Sequence, residues 1–71
     1  MLKPEVGDYY QIFKDKGLDY GNIIKILRIE GNEAFYTILD SENIEFRSPW
    51  NFVKYPHGVD RKLTPLEVEL L

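Results

Sequence analysis

The sequence has no cysteine and only one histidine, and both facts restrict the chemistry open to the chain. Without cysteine, neither a disulfide nor a thiolate metal site can hold a small domain together. His57 lies in a Pro-His-Gly turn, so we expect no metal site and no catalytic role for it. The sequence shows no nucleophile next to a base and contains no phosphate-binding loop motif. We therefore predict a protein that is not an enzyme and takes no cofactor.

Long apolar runs are also missing. No stretch approaches the roughly 18 apolar residues of a membrane helix, and the first eight residues lack the apolar centre of a secretory leader. We therefore expect a cytoplasmic protein with no membrane partner. Seventy-one residues are enough for a single domain, residues 1–71, which must be held together by apolar packing.

The sequence has no net positive charge, since the formal net charge is −3 and the pI is near 5. This balance disfavours general nucleic-acid binding, which relies on a basic surface that releases counterions. The negative excess lies within residues 31–48. It is interpreted either as a solvated hairpin or as an acidic surface that binds a basic partner. This predicted acidic hairpin consists of Glu33, Asp40, Glu42 and Glu45.

The chain does contain sequence patterns that are typical of β-strands. Four segments alternate or are rich in β-branched residues: 9–13, 23–30, 33–39 and 44–47. Gly31-Asn32 between the second and third is typical of a two-residue hairpin turn. In the fourth segment we expect Ile44 and Phe46 to point inward. In the loop before the second segment, we expect Leu18 and Tyr20 to be the anchors.

The alternation slips inside the second segment. Ile24 and Ile26 fit one face of a strand, whereas Leu27 and Ile29 fit the other, which predicts a bulge or a strong bend. A bent strand favours a small barrel over a flat sheet. We expect these four residues to be buried and Lys25 to be exposed.

Prolines are expected to interrupt the regular structure in the last third of the chain. Ser48-Pro49 is expected to end the strand ladder, followed by a 3₁₀ turn at 50–53 and a brief strand, Lys54-Tyr55, that pairs with the first strand. The run Thr64-Pro65-Leu66-Glu67 matches a helix capping box. Residues 66–70 also alternate as a strand would, but the cap favours a short helix.

Three segments resemble the Src-homology-3-like (SH3-like) small barrels of bacterial or phage proteins: Gly21–Leu27, Phe35-Tyr36 and Ser48–Val53. The resemblance spans residues 7–55, and the pattern is also similar to small barrels of Tudor or ribosomal-protein type. The loop from Tyr10 to Gly21 is shorter than the acidic loop of peptide-binding members, and Phe35 lies near the position of their tryptophan. The chain is therefore not expected to be a true proline-peptide-binding member.

The predicted fold is mainly β: a five-stranded antiparallel SH3-like barrel at 6–56, with a 3₁₀ turn. A connector and a short C-terminal helix follow at 57–71. The predicted function is a non-enzymatic protein-binding adaptor or inhibitor, which acts through the acidic hairpin or through an aromatic groove. That groove consists of Tyr9, Tyr36, Trp50 and Tyr55.

Two alternatives stay open at this point. The chain is a monomer or a weak homodimer, and a homodimer would form through the C-terminal leucines Leu66, Leu70 and Leu71. The alternative function is a nucleic-acid-binding small barrel, for instance a regulator of transcription or translation or a phage-related regulator, in which aromatic side chains stack on bases.

Overall fold

The computed structural model describes residues 3–13, 15–49 and 61–71. In that part of the chain the five strands are antiparallel and lie in the order β4-β3-β2-β1-β5. The prediction of a mainly β fold with a 3₁₀ turn and a short C-terminal helix is therefore confirmed. The elements are β1 (Tyr9–Gln11), the 3₁₀ turn η1 (Tyr20–Asn22), β2 (Ile23–Glu30), β3 (Glu33–Ile38), β4 (Phe46–Pro49), β5 (Arg61–Lys62) and α1 (Pro65–Glu69).

The long strand β2 contains the predicted bulge. Ile26 pairs with Tyr36 and Arg28 with Phe35, so Leu27 is the extra residue that lacks a partner in the ladder. Ile24 and Ile26 are buried as expected, whereas Leu27 is only half-buried. Because one extra residue reverses the parity of a strand, the bulge keeps apolar residues on the same face of the sheet before and after it.

Two details around β2 differ from expectation. Ile29 is half-buried rather than buried, since it lies beside the hairpin turn at the end of β2. Lys25 is also half-buried, because its ammonium group lies 5.5 Å from the centroid of the Tyr9 ring and its aliphatic stem is covered. The hairpin turn itself is confirmed. Gly31 has a φ of 60°, and no non-glycine residue in the described part has a positive φ, as in a type II′ turn.

Each face of the sheet carries an apolar cluster. The first face holds Tyr10, Ile24, Ile26 and Ala34, with half-buried neighbours from β2 and β3. The second face holds a smaller cluster, and α1 packs against it through Val68. A domain this short thus obtains two small cores instead of one. The second cluster consists of Ile23, Leu39 and Leu63, packed against Tyr9, Val68 and Leu71.

The C-terminal segment is a helix, so the strand alternative is wrong. The capping box is complete: Glu67 N–H donates to Thr64 Oγ1 at 3.3 Å, and Thr64 N–H donates to Glu67 Oε1 at 2.9 Å. The guanidinium of Arg61 in β5 also donates to both carboxylate oxygens of Glu67, at 2.7 and 2.6 Å. Five residues are too few for an isolated helix, so the cap, this ion pair and the contact with the second face stabilise α1. Leu66 and Leu70 remain exposed.

The fourth strand differs from its prediction. Ile44 and Phe46 do not point into the core, since they are 47% and 36% exposed. The carbonyl of Ile44 instead accepts a hydrogen bond from the buried hydroxyl of Thr37 at 2.8 Å, so residue 44 still belongs to the turn. β4 extends through Pro49, which pairs with Glu33. Proline is tolerated there because its missing N–H costs nothing at an edge.

The strand that pairs with β1 in the described part is β5, with Gln11 opposite Arg61. The sheet therefore continues past residue 56, into the segment assigned to the connector. The predicted 3₁₀ turn at 50–53 and the predicted strand Lys54-Tyr55 lie outside the described residues. The 3₁₀ turn that the structure does describe is η1, immediately before β2.

Candidate functional site

The predicted aromatic groove is not assembled from its two described members. Tyr9 packs with the second-face cluster, whereas Tyr36 packs with the first-face cluster and stacks on Phe46 at a centroid distance of 5.7 Å. Burial raises the pKa of Tyr36, and a hydrogen bond with the Ser48 side chain offsets part of that effect. Trp50 and Tyr55 lie outside the described residues. Whether either joins Tyr9 or Tyr36 stays a prediction.

The predicted acidic hairpin is divided into two parts. Glu33 lies 3.8 Å from Arg47 Nε, and Glu45 accepts a hydrogen bond from an Arg28 Nη at 2.5 Å. Both carboxylates are therefore partly neutralised. Asp40 and Glu42 lie at the other end of β3, roughly 20 Å from Glu33 along an extended chain, and have no ion pair within the described residues. The four residues do not form one acidic surface.

Arg28 is the centre of the hairpin's second face. Its guanidinium carbon lies 3.9 Å from the centroid of the Phe35 ring, and the group also donates hydrogen bonds to Glu30 and Glu45. These hydrogen bonds, first that to Glu30, raise the pKa of Arg28. A planar guanidinium suits this position because it can stack on a ring and bind two carboxylates at once. The site is a mixed-charge surface and not a basic one.

The loop between β1 and η1, residues 12–19, is held by two buried amides that no sequence pattern marks. Asn22 and Gln11 are only 2% and 4% exposed. Asn22 Oδ1 accepts from Phe13 N–H at 3.0 Å, and its Nδ2 donates to the carbonyls of Phe13 and Gly17 at 2.9 and 3.0 Å. Gln11 Nε2 donates to the carbonyls of Phe13 and Lys16 at 3.1 and 2.7 Å. We call Gln11 and Asn22 the amide clamp.

The amide clamp explains why β1 stops at Gln11 rather than at Phe13. The backbone of Phe13 bonds to the Asn22 side chain, whereas Ile12 N–H still donates to the Asn22 carbonyl at 3.0 Å. The side chain thus replaces a strand as the partner of the loop. Buried polar groups are stable only when hydrogen-bonded, so these bonds tie Phe13, Lys16 and Gly17 to the end of the sheet.

Two apolar side chains of the clamped loop and one of η1 point to solvent. The prediction that Leu18 and Tyr20 anchor the loop is wrong, because Leu18 is 38% exposed and Tyr20 is 51% exposed. Phe13 is 50% exposed, and the Lys16 ammonium lies 5.2 Å from its ring centroid. We call Phe13, Leu18 and Tyr20 the loop surface.

A cavity of about 360 Å³ lies between α1 and the start of β1. The Asp8 carboxylate at its edge already has three partners. It accepts hydrogen bonds from Tyr10 Oη at 3.3 Å and from Glu5 N–H at 2.9 Å, and it lies 3.3 Å from Lys62 Nζ. Burial, followed by the charge of Asp8, raises the pKa of Tyr10 to about 12. The Asp8 carboxylate is therefore already engaged by groups of the chain itself. The lining residues are Gly7, Asp8, Tyr9, Lys62, Leu63, Pro65 and Val68.

The acidic residues in the described part of the chain form no group of three or more that could hold a metal ion. None of the helices in that part is long and apolar enough to span a membrane.

No protein-family model matches the chain, and neither a curated protein nor a solved structure matches it significantly. The proposals below therefore depend on geometry alone.

Proposed function

We propose that the chain is a non-enzymatic protein-binding module, an adaptor or inhibitor, that binds another protein through the loop surface. One observation carries this proposal: buried amides hydrogen-bond to the loop backbone while Phe13, Leu18 and Tyr20 stay exposed. A preorganised loop loses less conformational entropy on binding. Large aromatic side chains are common anchors of protein interfaces.

We also propose that the strands form an SH3-like barrel, and the strand order supports this. An SH3-like barrel pairs its last strand with its first and joins the middle strands as a meander, and here β5 pairs with β1 while β2, β3 and β4 form a meander. The bulged β2 supplies the bend that such a barrel needs. The clamped loop lies where the resemblance places the longer acidic loop of peptide-binding members.

The loop surface indicates what kind of partner it fits. Asp15 and Asp19 are exposed beside the apolar side chains, and Lys16 already lies over the Phe13 ring. The partner should therefore offer an apolar pocket bordered by lysine or arginine. Complementary charges at the rim mainly accelerate association and contribute specificity.

Nucleic-acid binding gains no support from the described charges. Arg28, Arg47 and Arg61 each make an ion pair with a glutamate, which would compete with a phosphate for the guanidinium group. Fluorescence anisotropy with single- and double-stranded oligonucleotides, at low and then at higher salt, tests this alternative. Salt-sensitive binding at micromolar concentration would favour it over the protein-binding function.

The test of the protein-binding function begins with affinity capture from the source cells and ends with purified components. A captured protein counts only if it binds the purified chain in a calorimeter. The double variant Phe13→Ala/Tyr20→Ala should weaken that binding at least about tenfold, which corresponds to roughly 1.4 kcal/mol. Leu66→Ala, which truncates an exposed leucine on α1, is the matched control and should change binding less than about twofold. Equal affinity for wild type and the double variant would refute the loop surface.

A further inference from the structure

The outer edge of β4 has no partner strand in the described part of the chain. β4 is the last strand in the order β4-β3-β2-β1-β5, and its side chains are mostly exposed. An unpaired strand edge presents a row of N–H and C=O groups on which another strand can form. At the opposite edge of the sheet, β5 has only two residues within the described part of the chain, so β4 is the better template there.

We propose that two copies of this chain associate by antiparallel pairing of their β4 edges, with Phe46 at the two-fold axis. The charge pattern of the strand selects this register. Glu45 directly precedes β4 and Arg47 lies within it, on either side of Phe46, and both side chains reach the second face, where they pair with Arg28 and Glu33. In the proposed dimer, Glu45 of each copy lies opposite Arg47 of the other.

The alternative registers are unfavourable. A two-fold axis perpendicular to the sheet allows only registers in which residues of equal parity face each other. An axis at Glu45 places that carboxylate opposite its own copy, and an axis at Arg47 does the same for the guanidinium. Like charges directly opposite each other destabilise a strand pair, whereas opposite charges stabilise it. Only the axis at Phe46 forms two attractive pairs.

Both faces of the sheet are complementary across this seam. On the second face, the pairs Arg28–Glu45 and Arg47–Glu33 already exist within each chain, so charges of alternating sign cross from one copy to the other. On the first face, Phe46 meets its own copy and extends the Tyr36–Phe46 stack into a row of four rings. Pro49 lacks an N–H and ends the pairing, which favours a closed dimer over longer assembly.

The expected dimer is weak. Three residues from each copy, 45–47, lie in the seam, and a contact of this size is smaller than a standard interface. Association is therefore expected at high micromolar concentration, where sedimentation velocity and native mass spectrometry detect it. The loop surface lies on the far side of β2 and remains free in both copies, so this inference does not depend on the proposed function.

The first test exchanges charges. Glu45→Lys places lysine opposite Arg47 of the second copy, and Arg47→Glu places glutamate opposite Glu45, so each variant alone should be monomeric. An equimolar mixture of the two variants should form a heterodimer, because both charge pairs are then attractive. Glu42→Lys and Lys3→Glu make the same charge changes at exposed positions outside β4 and should leave the dimer intact.

The second test uses the absence of native cysteine. In the proposed register the two Phe46 Cα atoms are about 4.5–5.5 Å apart, within the range that a disulfide spans. Phe46→Cys should form a cross-linked dimer on mild oxidation. Ile44→Cys should not, because its two copies are separated by four residues along the strands.

Three results would overturn the inference. The first is a chain that stays monomeric up to millimolar concentration. The second is a dimer that both charge variants retain, since this would place the interface elsewhere, for instance on Leu66 and Leu70. The third is Ile44→Cys cross-linking as efficiently as Phe46→Cys. If either charge variant merely unfolded, circular dichroism would show it, and the cysteine pair would decide the question alone.

Discussion

Replacing Asn22 with alanine removes the centre of the amide clamp and tests whether buried hydrogen bonds hold the loop. Two backbone groups lose their side-chain partner: the N–H of Phe13 and the carbonyl of Gly17. The carbonyls of Phe13 and Lys16 keep their hydrogen bonds from Gln11. The alanine side chain is smaller and apolar, so it offers no replacement.

The size of the destabilisation follows from the two backbone groups that lose their hydrogen-bond partner. Each buried polar group left without a partner costs roughly 1–3 kcal/mol, and water entering the loop would reduce the total. We expect Asn22→Ala to lower the free energy of unfolding by about 2–4 kcal/mol. A domain of this length has roughly 4–10 kcal/mol in all. The Tm should therefore fall by at least roughly 10 °C.

Urea denaturation followed by tryptophan fluorescence measures the change, with thermal melts as a second probe. Asn43→Ala is the matched control, since Asn43 is exposed in the turn before β4 and should cost no more than about 0.5 kcal/mol. Hydrogen exchange of the Phe13 amide should also accelerate in Asn22→Ala. A loss below about 1 kcal/mol, or an unchanged Phe13 amide, would show that the amide clamp does not hold the loop.

Asn22→Asp adds a pH test of the same geometry. The aspartate keeps an acceptor for Phe13 N–H but turns an oxygen toward the carbonyls of Phe13 and Gly17. Burial and these carbonyls should raise the pKa of the new carboxyl above its usual value of about 3.9. The folded state then binds the proton more tightly than the unfolded state, so stability falls as pH rises. The deficit relative to wild type should be larger at pH 7 than at pH 4; an equal deficit would refute the geometry.

Three further predictions concern the first-face cluster and the helix. Ile26→Val should lower the free energy of unfolding by about 0.5–1.5 kcal/mol in urea, because Ile26 is fully buried, and an unchanged midpoint would contradict this packing. Hydrogen bonds from the Arg61 guanidinium hold the pKa of Glu67 at about 2. The resulting stability is present above the ordinary pKa of 4.5 and is lost as pH falls toward 2. Glu67→Gln should remove that part of the acid dependence, and carboxyl NMR of the wild type should show the low pKa; a midpoint near the ordinary value would contradict the ion pair. Because the pKa of Tyr10 is raised to about 12, its neutral form stabilises the fold, and stability should be lost as pH rises from 10 toward 12. Tyr10→Phe should reduce this alkaline loss in melts monitored by circular dichroism, and an unchanged alkaline transition would contradict the assignment.

Much of the fold was predictable because its signals are local. Gly31-Asn32 between two β-branched segments is enough to predict the hairpin, and Thr64 with Glu67 is enough to predict the cap of α1. The bulge was also readable, since a change of parity at Leu27 within a strand usually requires a bulge or a sharp bend. Each of these features depends on residues within a few positions of one another.

The candidate site was less predictable. Asn22 follows Gly21 and reads as an ordinary turn residue, because nothing in its neighbourhood shows that its amide meets Phe13 nine residues earlier. Buried and exposed asparagines look alike in a sequence. Without knowledge of the amide clamp, Leu18 and Tyr20 are expected to anchor the loop, since apolar residues in a loop usually point inward.

The sequence by itself determined the strand pattern, the turn, the bulge and the helix cap. Only the tertiary structure decided which surfaces these elements create. Tyr9 and Tyr36 were grouped by type, yet strand pairing places them on opposite faces of the sheet. Phe46 was assigned to the core by its alternation, yet its strand lies at the edge of the sheet and leaves it exposed. Alternation shows that a strand has two faces, but which face is covered depends on elements that are distant in the chain.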